Sequence, residues 1–162
     1  KSCLEPVYMN IKNKSTLIIF ILIPLAAGSL SALLSGNSAT YLALNKPPLS
    51  PPSFLFPIVW TILYILMGIS SYIIYASETP EKNKALRLYF IQLFFNFLWS
   101  IFFFGFSMYL FAFLWLLVLI ILIALMIYQF HKISPVAAYL QIPYLIWCLF
   151  AAYLNFMIYQ LN

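Results

Sequence analysis

The sequence predicts an all-α integral membrane protein, a bundle of five transmembrane helices. Of its 162 residues, 65% are hydrophobic and 7% are charged, against about half and about a quarter in an ordinary globular domain. The apolar residues form five stretches of about 20 residues, the length that a helix needs to cross a hydrocarbon core about 30 Å thick. Alternating ten-residue segments, which are typical of a membrane β-barrel, are absent.

The predicted spans lie within a single domain of residues 1–162 and have no Asp, Glu, Lys or Arg in their middles. They cover residues 16–34, 54–76, 86–104, 109–130 and 135–160. The first span has a basic flank like that of a signal peptide, but we expect it to be retained, because no small-x-small cleavage site is evident before Gly36. Residues 1–8 look unlike the Met9 start that follows, and a native segment and a foreign leader both remain open.

The connection between the first two spans, residues 35–53, is the long one. Pro47, Pro48, Pro51 and Pro52 lie in it and forbid a regular helix there. A stiff polar loop of this length is typical of a functional lid. By contrast, the third connection is a short turn around Gly105, so spans three and four are expected to be antiparallel neighbours.

The basic residues predict the orientation of the bundle. Seven lie on one side, namely Lys1, Lys12, Lys14, Lys82, Lys84, Arg87 and Lys132. Only Lys46 lies on the other side. The positive-inside rule therefore places the N-terminus in the cytoplasm, with the protein in a bacterial inner membrane. An outer membrane of a bacterium or a mitochondrion is the alternative.

Composition excludes several kinds of chemistry. His131, Cys3 and Cys148 are too few for a structural zinc site or a disulfide framework, and no metal or cofactor is predicted. The basic residues flank apolar runs and form no nucleic-acid patch. The spans lack the carboxylate or cation that an ion-coupled transporter needs, as well as the groups for acid–base catalysis. The interior has aromatic rings and amides instead.

Three spans carry these rings and amides on single helical faces. They are Trp60 and Tyr64 on the second span, Gln92, Asn96, Trp99 and Phe103 on the third, and Tyr144, Trp147, Ala151 and Asn155 on the fifth. Amides at membrane depth are expected to turn inward. For Gln92 and Asn155, bonding between helices and contact with a ligand both remain open. The three faces together favour a cavity for a flat apolar ligand.

The first span carries small residues at spacing four, namely Gly28, Ala32 and Gly36. This pattern predicts a close-packed seam against another helix, with dimerisation as the alternative.

Several segments, in order, resemble one known family. They are Tyr41-Leu-Ala-Leu-Asn-Lys-Pro47 with Pro51-Pro52, Val59-Trp60 and Leu63-Tyr64, then residues 92–105, then residues 143–155. The chain is similar to the translocator protein family, also called TspO/MBR or the peripheral benzodiazepine receptor family. The resemblance implies five helices around one pocket capped by the first loop, in a protein often found as a homodimer.

The resemblance also implies ligands and site residues. Its members bind porphyrins such as protoporphyrin IX, and Trp60 and Trp147 match tryptophans implicated in light-dependent porphyrin degradation. With the three faces, the predicted ligand-binding residues are Tyr41, Lys46, Pro47, Trp60, Tyr64, Gln92, Asn96, Trp99, Phe103, Tyr144, Trp147, Phe150, Ala151 and Leu154. Aromatic rings would stack on the porphyrin and Lys46 would meet its carboxylates.

The chain departs from the family pattern at three positions. Leu49 stands where relatives often have tryptophan, and Thr40 where they commonly have an aromatic residue. Phe156 replaces a tyrosine of the sterol-recognition pattern, and no basic residue follows it, which argues against sterol as a ligand. The predicted function is a membrane-embedded tetrapyrrole-binding protein that acts as a sensor, a sequestering protein or a slow light-dependent degrader. A transporter of porphyrin or another apolar metabolite, and a regulatory scaffold, remain alternatives.

Overall fold

The computed structural model describes residues 13–36 and 39–162, and within them it contains helices and no strands. The helices are α1 (Lys14–Leu34), α2 (Ala39–Ala43), α3 (Leu55–Ala76), α4 (Lys82–Ser100), α5 (Tyr109–Ile133), α6 (Pro135–Leu140) and α7 (Ile142–Leu161). Five helical segments of the described chain are long and apolar enough to cross a membrane. The predicted all-α class and its five spans are therefore confirmed. The expectations about residues 1–8 fall outside the described residues.

The spans form a ring around a buried core. α1 packs on α3 and α4, α3 packs on α6, and α5 packs on α4, α6 and α7. The core lies among α3, α4, α5 and α7, which contribute most of the buried apolar side chains. α1 stands at the edge of this core, since only Pro24 and Ser31 are buried along its 21 residues.

Helix ends extend beyond the apolar runs from which the spans were predicted. α1 begins at Lys14, where the Asn13 side chain accepts hydrogen bonds from the backbone N–H groups of Ser15 and Thr16. α4 begins at Lys82, four residues before the predicted start at Leu86. Hydropathy finds only the part of a helix that lies in hydrocarbon, whereas the helix itself continues through its charged first turn.

Two irregularities interrupt the long spans. After α4 the helix continues as a π-helical turn, Ile101–Gly105, in which the Phe106 N–H donates to the Ile101 carbonyl. The fifth span breaks at Gln141 between α6 and α7, because Pro143 lacks the N–H that an uninterrupted helix would use. The π-helical turn places the rings of Phe103 and Phe104 toward the end of the bundle where the first loop lies.

The contact between α1 and α3 depends on two glycines. A Cβ at Gly28 would lie 2.1 Å from the Tyr64 ring, and one at Gly68 would lie 2.4 Å from the Ile21 Cα. Of the predicted seam, Gly28 therefore packs against α3 at a distance that only glycine allows. The seam prediction was wrong for Ala32 and Gly36, because Ala32 is exposed in the cavity lining and an added Cβ at Gly36 would have no described atom within 4 Å. The dimerisation alternative stays a prediction.

The first loop contains a short helix that the sequence interpretation missed. The four prolines were expected to exclude a regular helix from the connection, yet α2 forms at Ala39–Ala43. The expectation was wrong because the prolines begin at residue 47 and restrict only the residues beside and after them. After α2 the loop turns at Ser50, whose N–H and hydroxyl both donate to the Pro47 carbonyl. Residues 39–53 are called the lid below.

Candidate ligand-binding site

A cavity of about 360 Å³ lies beneath the lid, between α1, α3 and α4. Its lining is mostly aromatic and small side chains, and it includes Tyr41 of the lid. Ser29 and Ala32 of α1 and Pro57 and Thr61 of α3 line the cavity and are also exposed. The cavity is therefore open sideways between α1 and α3, at membrane depth.

Trp60 forms the aromatic wall of the cavity. Its ring stacks on Tyr64 with centroids 5.5 Å apart and lies 6.3 Å from the Trp99 ring. Trp99 in turn stacks on Phe103 at 5.6 Å. Trp60 and Tyr64 of α3 and Trp99 of α4 present flat apolar surface to the cavity, and Phe103 of the π-helical turn supports Trp99 from outside the lining.

A chain of hydrogen bonds holds the inner side of this wall. The Tyr64 hydroxyl donates to Asn96 Oδ1 (2.9 Å), Asn96 Nδ2 donates to the Tyr144 hydroxyl (2.9 Å), and that hydroxyl donates to Gln92 Oε1 (2.8 Å). All four side chains are buried. The chain joins α3, α4 and α7 across the core, and Asn96 is the member that also lines the cavity beside Tyr64.

Asn155 fixes the plane of Trp99. Its Oδ1 accepts from the Trp99 indole N–H (3.1 Å), and its Nδ2 donates to the Tyr109 carbonyl (2.8 Å). With both ends of the amide used, Asn155 acts between helices. The open choice between helix bonding and ligand contact is therefore decided for Asn155 in favour of helix bonding.

The lid closes the cavity with an aromatic side chain and carries the cation near its mouth. The Tyr41 ring lies 5.7 Å from both Phe56 and Phe104. Its hydroxyl is buried and has no hydrogen-bond partner among the described residues, and burial raises the pKa of Tyr41. Lys46 is exposed, with its Nζ 4.9 Å from the centre of the Tyr41 ring. A ligand beneath the lid would thus meet one free hydroxyl with a cation behind it.

Comparison with known proteins places the chain in a family. The model of the TspO/MBR family matches residues 20–161. The chain belongs to the TspO/MBR family. It is 39% identical over 155 residues to the tryptophan-rich protein TspO of Chlorobaculum tepidum, covering 93% of this chain and 98% of that protein. It is 35% identical over 148 residues to the translocator protein of Bos taurus, covering 88% of each. A tryptophan-rich sensory protein of Cereibacter sphaeroides is 34% identical over 119 residues, 74% of each.

In this TspO/MBR chain, the cavity brings together part of the predicted site. Tyr41, Trp60, Tyr64, Asn96 and Trp99 line it. The remaining predicted residues stand behind or beside the lining, namely Lys46, Pro47, Gln92, Phe103, Tyr144, Trp147, Phe150, Ala151 and Leu154. Most of these are buried in the core or lie along α7, where they support the wall.

Trp147 belongs to this second group. Its ring contacts Phe56 at 5.9 Å and Phe150 at 5.6 Å. Its indole N–H is buried and has no hydrogen-bond partner within the described ranges. Phe56 also contacts Tyr41 of the lid. Phe56 lines the cavity and Trp147 does not.

The sequence interpretation missed two groups of lining residues. Phe56 lies one turn before Trp60 on the same face of α3, so helical spacing alone would have found it. Ser31 of α1 donates to the Phe97 carbonyl, and Ser35 at the end of α1 pairs with Ser100 of α4. All three serines line the cavity. They were missed because small side chains give no chemical signal of a pocket.

Among residues 13–36 and 39–162, the cavity lining carries no ionisable group other than the tyrosine hydroxyls. His131 lies at the other end of the bundle, 6.0 Å from the Tyr139 ring. Among the residues that the structure describes, no three His, Cys, Asp or Glu side chains are close enough to hold a metal ion. The geometry is suited to binding an apolar ring through stacking and one hydroxyl contact.

Proposed function

We propose that this TspO/MBR chain is a membrane-embedded binding protein for tetrapyrroles and similar flat apolar ligands. The observation that carries the proposal is the aromatic wall of Trp60, Tyr64 and Trp99, which lines a mostly apolar cavity beneath the lid. Large rings gain most from such stacking surfaces. Among the relatives, the name sensory protein supports a sensing role, and the name translocator protein supports transport as the second candidate.

The polar groups at the mouth support a ligand with an acidic edge. The Tyr41 hydroxyl is buried without a partner, and the Lys46 ammonium stands 4.9 Å from the same ring. The Tyr41 hydroxyl can donate a hydrogen bond to a ligand carboxylate, and the positive charge of nearby Lys46 favours that carboxylate. Tetrapyrroles combine such carboxylates with a flat apolar disc.

The charge distribution supports one orientation. Lys14, Lys82 and Arg87 lie at one end of the bundle, with Lys132 at the same end. The lid with Lys46 lies at the opposite end. We therefore propose a bacterial inner membrane with the basic end in the cytoplasm and the lid outside. Cysteine labelling at Asn83 and at Leu49, with a membrane-impermeant reagent on intact cells, tests this orientation, and labelling at Asn83 alone would reverse it.

Binding is tested by titrating purified protein with protoporphyrin IX in darkness. We expect saturable binding with one ligand per chain. Trp60→Phe should weaken it about tenfold, since a large stacking surface is lost. Trp115→Phe is the matched control, because Trp115 stacks on Phe95 at 4.2 Å outside the cavity. Absence of saturable binding, or equal effects of the two variants, would refute the proposed site.

A second arm under illumination separates passive binding from degradation. An excited tetrapyrrole that takes an electron from an indole needs that indole beside it. Trp60 lines the cavity and Trp147 does not, so turnover is expected to follow Trp60. Loss of light-dependent bleaching in Trp60→Phe and in the double variant with Trp147→Phe would support degradation. Bleaching at the rate of free protoporphyrin in all variants would leave sensing or sequestration as the role.

A further inference from the structure

The lid is tied to the last turn of α7 by two asparagines. The Asn45 backbone N–H donates to Asn162 Oδ1 (3.0 Å), and Asn162 Nδ2 donates back to the Asn45 carbonyl (3.0 Å). Asn45 Nδ2 also donates to the Leu161 carbonyl (3.4 Å). Asn45 and Asn162 with these bonds are called the clasp. Asn162 Nδ2 is oriented for this by a further bond to the Ile158 carbonyl of its own helix (2.9 Å).

The clasp holds the lid against α7 together with the Tyr153 hydroxyl, which donates to the Pro48 carbonyl (3.2 Å). Asn45 follows directly on the turn in which the Leu44 N–H donates to the Tyr41 carbonyl. Tyr41 therefore sits four residues from the clasp, with its ring against Phe56 and Phe104. Because every bond of the clasp is made within the protein, it holds the lid closed without help from a ligand.

The closed cavity is small for the ligand class proposed above. Its volume of about 360 Å³ lies near the lower end of the range for small-molecule pockets. A tetrapyrrole has about forty non-hydrogen atoms, and at the packing density of protein interiors it needs roughly twice that volume. A flat molecule of two or three rings fits beneath the closed lid. A tetrapyrrole extends beyond that space, either out through the side opening between α1 and α3 or against a lifted lid.

We propose that the clasp is a specificity determinant that sets the size of ligand the cavity accepts. This inference rests on the proposed function. When the binding-competent state is a minor one, the apparent affinity falls in proportion to its population. In this proposal the tetrapyrrole lifts the lid and does not extend through the side opening. The clasp then lowers the affinity for a tetrapyrrole and raises the affinity for a smaller ring, which keeps its contact with Tyr41.

The test compares a large and a small probe on the same variants in detergent. The probes are protoporphyrin IX and 9-anthracenecarboxylate, both followed by quenching of tryptophan fluorescence. Asn162→Ala removes the side-chain half of the clasp. We expect protoporphyrin to bind about three- to tenfold more tightly and anthracenecarboxylate to bind about threefold more weakly, the range that one or two exposed hydrogen bonds provide. Gln160→Ala is the matched control, because Gln160 is exposed on the same turn and neither probe should change.

A conservative variant distinguishes the loss of the clasp hydrogen bonds from a nonspecific loss of structure. Asn162→Asp keeps an acceptor for the Asn45 N–H and loses the donor, so its effects should lie between those of wild type and Asn162→Ala. The clasp is exposed, so both variants should unfold at the wild-type temperature. If the affinities for both probes change in the same direction, or do not change, the clasp does not determine ligand size, and the proposed binding function is unaffected. Failure of both probes to bind the wild-type protein would instead refute the proposed function itself.

Discussion

The two sides of the bundle are built in different ways. On the core side, α7 buries seven of its 20 residues, and the Tyr64–Asn96–Tyr144–Gln92 hydrogen bonds cross between helices. On the cavity side, α1 buries two of its 21 residues and meets α3 through glycines. In lipid, helices gain little from hiding apolar surface and depend on close packing and polar contacts. The core side has both close packing and polar contacts between helices. On the cavity side the helices pack closely at a few points only, and the space between those points is available to a ligand.

The largest effect is expected where an added Cβ on the cavity side would meet backbone atoms. At Gly68 an added Cβ would lie 2.4 Å from the Ile21 Cα and 2.7 Å from the Phe20 carbonyl oxygen. Because backbone cannot yield as a side chain does, Gly68→Val should lower the free energy of unfolding by about 3–5 kcal/mol or prevent folding. Denaturant unfolding in detergent measures this. Ala26→Val, on the exposed face of α1, is the control and should change stability by less than about 0.5 kcal/mol. Wild-type stability in Gly68→Val would show that α1 can move away from α3 at no cost.

The next effect concerns the core side. Asn96→Leu leaves the buried hydroxyls of Tyr64 and Tyr144 each without one of their partners. We expect a loss of about 2 kcal/mol in the free energy of unfolding, above the average for one hydrogen bond in a membrane because two are lost. Thr61→Val is the comparison, since its hydroxyl bonds only to the Pro57 carbonyl of its own helix. Equal stability losses in the two variants would show that hydrogen bonds between helices stabilise the protein no more than a hydrogen bond within one helix.

The sequence predicted the core side better than the cavity side. Large rings and amides at helical spacing, such as Asn96 and Trp99, predict an inward face because hydrocarbon cannot satisfy them. Whether such a face lines a cavity or fills a core depends on which side chains lie opposite. Tyr144 meets Asn96 and Gln92 and is therefore part of the core, whereas Trp60 faces the small residues of α1.

The cavity was not predicted from the sequence, because it lies where small side chains leave space between helices. Ala32 and Ser31 look like packing residues in a sequence, and whether a small residue admits a neighbouring helix or leaves a space is decided by tertiary structure. α2 was also not predicted. The four prolines were taken to exclude a helix from the whole loop, although its first residues are ordinary helix formers. The clasp joins residues 117 positions apart, and no local pattern marks it.

Filling the cavity should separate binding from stability. Ala32→Leu places a larger side chain in the lining of an exposed position on α1. We expect protoporphyrin affinity to fall at least about tenfold, or about 1.4 kcal/mol, with the free energy of unfolding unchanged within about 0.5 kcal/mol. The matched variant Ala112→Leu overfills a fully buried position of α5 and should cost about 1–3 kcal/mol of stability. A loss of stability in Ala32→Leu would mean that the cavity side is packed like the core.

The smallest effect is expected at the lid, where the two sides meet. Tyr41→Phe removes a buried hydroxyl that has no partner among the described residues, so stability should not fall and should rise by less than about 1 kcal/mol. The same change removes a donor to a ligand carboxylate, and protoporphyrin should bind about threefold more weakly. If the protoporphyrin affinity falls and the free energy of unfolding does not, the Tyr41 hydroxyl binds the ligand. If the free energy of unfolding falls, the hydroxyl instead holds the lid in place.

The pH dependence of Tyr41 provides an independent check. Burial raises the pKa of Tyr41 above its ordinary value of 10.0, so the closed lid favours the neutral phenol. With the lid open the phenol ionises near pH 10, so the contribution of the closed lid is complete below that pH and declines as pH rises above it. The ratio of wild-type to Tyr41→Phe affinity for 9-anthracenecarboxylate, measured from pH 8 to 11, should fall above about pH 10. Lys46 and an aromatic ring beneath it are present in both proteins, so the contribution of Lys46 cancels in the ratio. A ratio independent of pH would mean that Tyr41 reaches solvent while the lid is closed, and the cavity would then be open at the top as well as at the side.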